Sequence, residues 1–145
     1  MTETAAPIPT RADFRVFRAM GTRWMDNDVY GHVNNAVYYS YFDTAVNGWL
    51  LETTATDIRS LPAIGVVAET SCRYLRSVSF PATLEVGLAL ERLGRSSVIY
   101  RLGLFVPADV MPAAVGRFVH VYVDAASRRA MPVPDLIRDA LRTLA

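Results

Sequence analysis

The spacing of apolar residues changes period along the chain. An extended segment begins at Phe14 to Arg18 and continues towards Trp24, where polar residues interrupt it. Between Ala36 and Glu52 the residues Tyr38, Phe42, Ala45 and Trp49, flanked by Tyr41, Val46 and Leu50, recur at three-to-four spacing, with Ser40, Asp43 and Asn47 opposite. That period predicts an amphipathic helix. A short amide side chain can accept a hydrogen bond from an unpaired first-turn amide, so Asn34 or Asn35 is its expected N-cap.

Beyond a link at 53–61 the period becomes two. Leu84, Val86, Leu88 and Leu90 alternate with Glu85, Gly87, Ala89 and Glu91, and Val98, Tyr100, Leu102 and Leu104 form a second row. Each predicts a strand with one buried face, and Gly94-Arg95-Ser96 is the expected hairpin turn between them. Val115, Val119, Val121 and Val123 alternate with Phe118, His120 and Tyr122 in a last strand, while Ile64 to Tyr74 supplies a less regular earlier one. Pro134-Asp135 opens a short terminal helix with a stripe of Leu136, Ile137, Leu141 and Leu144. The order is strand, long helix, four strands, short helix. With short connections the strands pair antiparallel, which predicts an α+β domain with a helix on one sheet face.

At 145 residues the chain holds one domain, expected over 13–145 behind a loose tail at 1–12. An apolar share of 52% excludes general disorder and asks for a large core or a covered interface. A net charge of +1 supplies no field for nucleic acid or an anionic membrane, and no apolar run approaches a membrane span. One cysteine and two histidines argue against a disulfide and a metal site and fit a reducing, cytoplasmic setting.

The chemistry concentrates at Arg23-Trp24-Met25-Asp26-Asn27-Asp28-Val29-Tyr30-Gly31-His32-Val33-Asn34-Asn35, directly before the long helix. Helix-start amides, at the positive end of the dipole, can hold an oxyanion, and a carboxylate beside them would be kept ionised. Such turns are also commonly rich in Asp, Asn and Gly, so the residues alone leave catalysis and turn-building both open.

The run Asp26 to Tyr38, followed by Tyr41-Phe42-Asp43, closely resembles the motif of the 4-hydroxybenzoyl-CoA thioesterase-like family of hotdog proteins. Glu69 to Leu75, Leu93 to Ser97, and Val119 to Asp124 with a later Pro-Val-Pro extend the resemblance over roughly 14–143. It implies a five-stranded antiparallel sheet wrapped around the long helix, a homodimer or homotetramer, and a site at the subunit interface. It also implies hydrolysis of an acyl-CoA thioester without a metal or organic cofactor. By position, Asp28 is the catalytic carboxylate, acting as nucleophile or general base, and the Asn35 amide polarises the thioester carbonyl. Asp43 stands where relatives more often carry glutamate, and the arginine common after it is missing from Thr44-Ala45-Val46.

Around these two, Gly31 supplies a backbone angle. His32, Asn34 and Tyr38 are supporting or substrate-lining candidates, with turn-fixing, capping and packing as sufficient alternatives. Arg73, Arg76 and Arg95 are candidates for the CoA phosphates because guanidinium suits phosphate geometry, and Ser96 and Ser97 for hydrogen bonds to the nucleotide. Asp26 is expected to bond backbone amides or Arg23, and His120 to be accommodated in its strand.

Competing readings are an acyl-carrier-protein thioesterase, suggested by His32-Val33-Asn34-Asn35, and an acyl-CoA-binding domain without catalysis. Hotdog hydratases place a histidine five positions after an aspartate, whereas His32 follows Asp26 by six and Asp28 by four.

Overall fold

The structure is a computed structural model describing residues 6–145. Strand β1 (Val16–Gly21) is followed by helix α1 (Val37–Thr54), strands β2 (Ala63–Tyr74), β3 (Thr83–Leu93), β4 (Ser97–Phe105) and β5 (Ala114–Asp124), and helix α2 (Asp135–Arg142). The strands form one sheet in the order β1-β3-β4-β5-β2, with every neighbouring pair antiparallel. This is the five-stranded hotdog architecture, with one long helix and a short terminal one.

Helix α1 buries Tyr38, Tyr41, Phe42, Ala45, Val46, Trp49 and Leu50, all seven residues of the expected stripe, against the sheet. Leu84, Val86 and Leu88 of β3 and Val98, Tyr100, Leu102 and Leu104 of β4 meet it there. Side chains alternate across a strand, so the intervening positions face away. On that second face Phe14, Ala89 and Phe105 form a smaller cluster with Phe17 packed on it, and the Arg11 guanidinium lies over the Phe17 and Phe105 rings at 4.7 and 4.8 Å.

Two expectations need correction. First, the helix begins at Val37, not Ala36, and Ala36 occupies the cap position without a side-chain bond. Asn34 acts one turn earlier: its Oδ1 accepts from the Ala36 amide and its carbonyl from the Val37 amide, both at 2.9 Å. Second, residues 1–5 of the expected tail lie outside the described residues, while its later part is packed. Arg11 donates from its amide to the Val110 carbonyl at 2.8 Å and pairs with Glu85 at 3.1 Å. The alternation expected for β5 holds as well, and the structure adds which row faces the helix: Ala114, Gly116, Phe118, His120 and Tyr122, with Val115, Val119 and Val121 half-buried on the other face.

Strand β2 is the long edge. Of its residues only Ala63 is buried, and Val67 is 48% exposed. Among the described residues no helix is long and apolar enough to cross a membrane.

Candidate active site

The segment between β1 and α1 is built around Asp26. Its carboxylate is buried and accepts from the Arg23 amide at 2.9 Å, from Arg23 Nε at 3.1 Å and from the Tyr41 hydroxyl at 2.6 Å. Burial pushes its pKa up, but the Tyr41 and Arg23 bonds outweigh burial and hold it below the usual carboxylate value. Asp26 also accepts the Asn34 amide on its carbonyl at 2.9 Å, which fixes the chain just before the helix. This aspartate is therefore a brace, as expected from its neighbours.

Asp28 stands on a tight loop over that brace. Its amide donates to the His32 carbonyl at 3.0 Å, its carbonyl accepts from Gly31 at 3.1 Å, and its Oδ1 accepts the Tyr30 amide at 2.9 Å. Gly31 closes the loop at φ +87°, a left-handed angle that glycine adopts without strain. The Gly31 carbonyl is held by the Ser79 hydroxyl at 3.0 Å, and Val33 donates to Val78 at 2.8 Å, so the β2–β3 connection clamps the loop from behind.

Asp28, His32, Asn35 and Tyr38 line one open cavity of about 410 Å³. With Arg76, the fold thus brings together five of the residues singled out from the sequence. Among the described residues the Asn35 amide has no hydrogen-bond partner, and its carbonyl accepts the Tyr74 hydroxyl at 2.8 Å. That bond holds the peptide from the carbonyl side while leaving the donor free. Asn34, by contrast, spends its amide, carbonyl and Oδ1 inside the turn.

The cavity is completed by residues the sequence reading passed over: Tyr30, Val33, Tyr74, Leu75 and Ser77. Tyr74, at the end of a poorly alternating strand, carried no pattern to mark it. Its ring packs edge-on against Tyr38 at 4.9 Å, and burial raises both phenols, so each stays protonated and able to donate. Cys72 behind them is pushed up to about 11 by burial and is not a thiolate.

Of the arginines, Arg76 lines the cavity and is paired with Asp109. Within one chain Arg73 does not join it: it donates to the Ala6 carbonyl at 3.2 Å and borders a separate groove with Glu91 and Arg101. Arg95, Ser96 and Ser97 also lie elsewhere, at the far end of β3 from the loop that clamps Gly31, ~33 Å away at the strand rise. There the Arg95 and Ser96 carbonyls accept the Val133 amide at 2.8 Å and the Tyr122 amide at 2.7 Å. Among the described residues no cluster of three His, Cys, Asp or Glu side chains could hold a metal.

A carboxylate held by a single amide bond and an unpaired backbone donor in one cavity can act on the two sides of a carbonyl carbon. Comparison with known proteins gives the family. The profile of the thioesterase-like superfamily matches residues 22–141. The solved structure of the PA5185 protein from Pseudomonas aeruginosa strain PAO1 is 48% identical, with a TM-score of 0.91 over 95% of this chain and 96% of that one. A thioesterase from Thermus thermophilus, solved in complex with coenzyme A and Zn, is 31% identical, with a TM-score of 0.76 over 91% and 95% of the two chains. The 1,4-dihydroxy-2-naphthoyl-CoA thioesterase Slr0204 from Synechocystis, at 14% identity and a TM-score of 0.79 over 87% and 94%, shares the fold.

Proposed function

The chain belongs to the thioesterase-like superfamily and is a thioester hydrolase, and from that premise we propose that it cleaves acyl-CoA to free acid and CoA with Asp28 as the catalytic carboxylate. The observation that carries this reading is the shared cavity of Asp28 and the unpaired Asn35 amide. In the reading the thioester carbonyl oxygen takes the Asn35 N–H, assisted by the start of α1, and the negative charge that develops in the transition state strengthens that bond. Asp28 then either takes a proton from water as it attacks, or attacks the carbonyl carbon itself to form an anhydride that water opens. CoA leaves as the thiol in both cases, and Tyr38 and Tyr74 shape the cavity wall. Coenzyme A as the carrier is supported by the Thermus relative that was solved with it. Arg76, at the cavity rim, is the phosphate contact within the same chain.

The proposal includes a second copy of the chain. Trp24, Met25, Val29 and Tyr30 are 83, 72, 95 and 80% exposed, an apolar group that favours cover, and Tyr30 among them lines the cavity. Beside it lies the unpaired β2 edge, whose backbone donors and acceptors suit antiparallel pairing with the same strand of another copy.

The test is hydrolysis of a panel of acyl-CoAs by the native chain and by Asp28→Asn, followed by thiol release. Turnover by the native chain and its near-complete loss in the variant is the expected result. Binding of acyl-CoA without turnover by either chain would replace the enzyme with a binding domain. A single turnover in oxygen-18 water identifies the anhydride route when label appears in the Asp28 carboxylate, which requires water to open the anhydride at the Asp28 carbon.

A further inference from the structure

The face of the sheet turned away from α1 carries a basic groove that thioester cleavage does not use. It has a volume of about 170 Å³ and is lined by Ser71, Arg73, Glu91, Arg101 and Arg117, contributed by the four adjacent strands β3, β4, β5 and β2, with the N-terminal segment at 6–9 along its border. Tyr74, the residue after Arg73, lines the Asp28 cavity, and consecutive strand residues point to opposite faces, so the sheet separates the two sites.

The strand register gives this groove its charge pattern. Ser71 pairs with Arg117, Arg117 with Arg101, and Arg101 with Ala89, so Arg117 and Arg101 stand directly opposite each other on one face. Like charges placed this way oppose the pairing of their strands, and nothing in the packing of the sheet requires them. A single carboxylate sits among them. Glu91 accepts a bond from Arg117 Nε at 2.9 Å but lies 3.9 Å from Arg101 Nη2, beyond hydrogen-bond reach. Arg73 donates from Nη1 to the Ala6 carbonyl at 3.2 Å. Among the described residues the Arg101 guanidinium donates no hydrogen bond. Three guanidinium groups against one carboxylate therefore leave two positive charges in one concavity, with most of their N–H donors uncommitted. A planar guanidinium fork matches the oxygens of a phosphate group, and a cavity of about 150 Å³ already admits benzene, so the groove has both the donors and the room for one.

We infer that Arg73, Arg101 and Arg117 form an anion site on the outer face of the sheet, separate from the Asp28 cavity, that takes a phosphate group of at least two negative charges. Arg101 and Arg117 supply the forks, Ser71 a neutral donor, and Glu91 holds Arg117 in place. The two uncompensated charges favour a phosphate dianion over a monovalent carboxylate. The site binds and does not react.

Such a group comes either from a free phosphate compound or from the nucleotide end of CoA, and the experiment separates the two sources. Inorganic pyrophosphate titrated calorimetrically into the full chain at low ionic strength should bind, and added salt should weaken it. Arg101→Gln combined with Arg117→Gln should lower that affinity about tenfold or more. Arg128→Gln combined with Arg129→Gln removes the same charge in the turn after β5 and should leave the affinity within about twofold of native. Acetate should bind at least about tenfold more weakly than pyrophosphate. Arg101→Gln alone is the second variant if the first pair does not fold. Absent pyrophosphate binding, an equal loss in the two double variants, or acetate bound as tightly would each overturn the site. Titration of CoA into the same chains then assigns the source. Displacement of pyrophosphate by CoA, with weaker CoA binding in the Arg101→Gln, Arg117→Gln chain, assigns the phosphate to CoA; unchanged CoA binding assigns it to a free compound, and both results support the site. None of these measurements needs turnover, so failure of the Asp28 reading and failure of this site are told apart.

Discussion

Two aspartates two positions apart have opposite surroundings, and substitution should separate them. Asp28 has a half-exposed carboxylate whose one hydrogen bond is from the Tyr30 amide. Asparagine keeps its shape, so Asp28→Asn should change stability by about 0.5 kcal/mol or less while lowering turnover ~10²–10⁴-fold. Asp26 is buried on three hydrogen bonds and cannot lose its charge so cheaply. Asp26→Asn should destabilise the chain by about 2–4 kcal/mol, read as a fall in melting temperature of roughly 6–12 °C. An Asp26→Asn chain that melts with the native one would remove its bracing role. His120 adds a pH signature. Burial lowers its pKa below 6.5, against a smaller opposing effect of Asp43. The unfolded chain therefore binds the proton more readily, and the stability due to this group is intact above about pH 6.5 and lost as pH falls from there towards the folded value. Melting scans from about pH 7.5 to 5.5 should show the native chain losing more stability than His120→Leu; parallel curves would mean the imidazole is not held neutral. The residue types at 26–35 were legible in the sequence, since the motif marks Asp28 and Asn35. Most of the cavity's other wall was not, because Tyr74, Leu75 and Ser77 reach it through a strand end and a connection that no local period reveals.

At the level of elements, legibility followed burial. Helix α1 and strands β3 and β4 each bury one continuous face, so their periods of 3.6 and two were written clearly. Strand β2 is an edge with almost nothing buried, and its alternation is further broken by a register shift between Val67 and Glu69. Strand β5 showed its alternation without showing which row is the inner one. Its inner row contains glycine, alanine and histidine where α1 comes close, while valines fill the half-covered outer row. Gly116 shows why: a Cβ built there would lie 2.6 Å from Phe42 Cε2 and 2.9 Å from Cδ2. Phe42 is fully buried and has no free direction to move. Gly116→Ala should push α1 off the sheet and cost about 1–3 kcal/mol, the usual range for an overpacked core. A variant as stable as the native chain would show that α1 seats on β5 more loosely than these contacts indicate.

For the whole molecule, the question is what covers the β2 edge. One flank of the sheet ends in β1, six residues long, while the other ends in β2, twelve residues long, with Val67 near its middle and half-exposed on the helix side. An edge of that length, free of proline, is a template for another strand. Tyr30 of the exposed loop and Tyr74 at the end of β2 line the Asp28 cavity together, so pairing along β2 would bring a second copy towards that cavity. A two-fold axis near the middle of β2 would place each Val67 close to its copy. Val67→Asp should then set two carboxylates against each other across the pair, while in one chain the side chain has ample solvent and the fold is spared. Like charges a few ångströms apart in a partly desolvated interface oppose association by several kcal/mol, enough to turn a stable pair at micromolar concentration into single chains. Sedimentation should show the native chain as a dimer or larger and Val67→Asp as a folded monomer with an unchanged far-ultraviolet spectrum. Turnover should fall with the loss of pairing and return as the variant's concentration is raised. A native chain that sediments as one copy with full activity, or a monomeric Val67→Asp chain that keeps native turnover, would mean that Asp28 works within its own chain and that β2 is covered by something else.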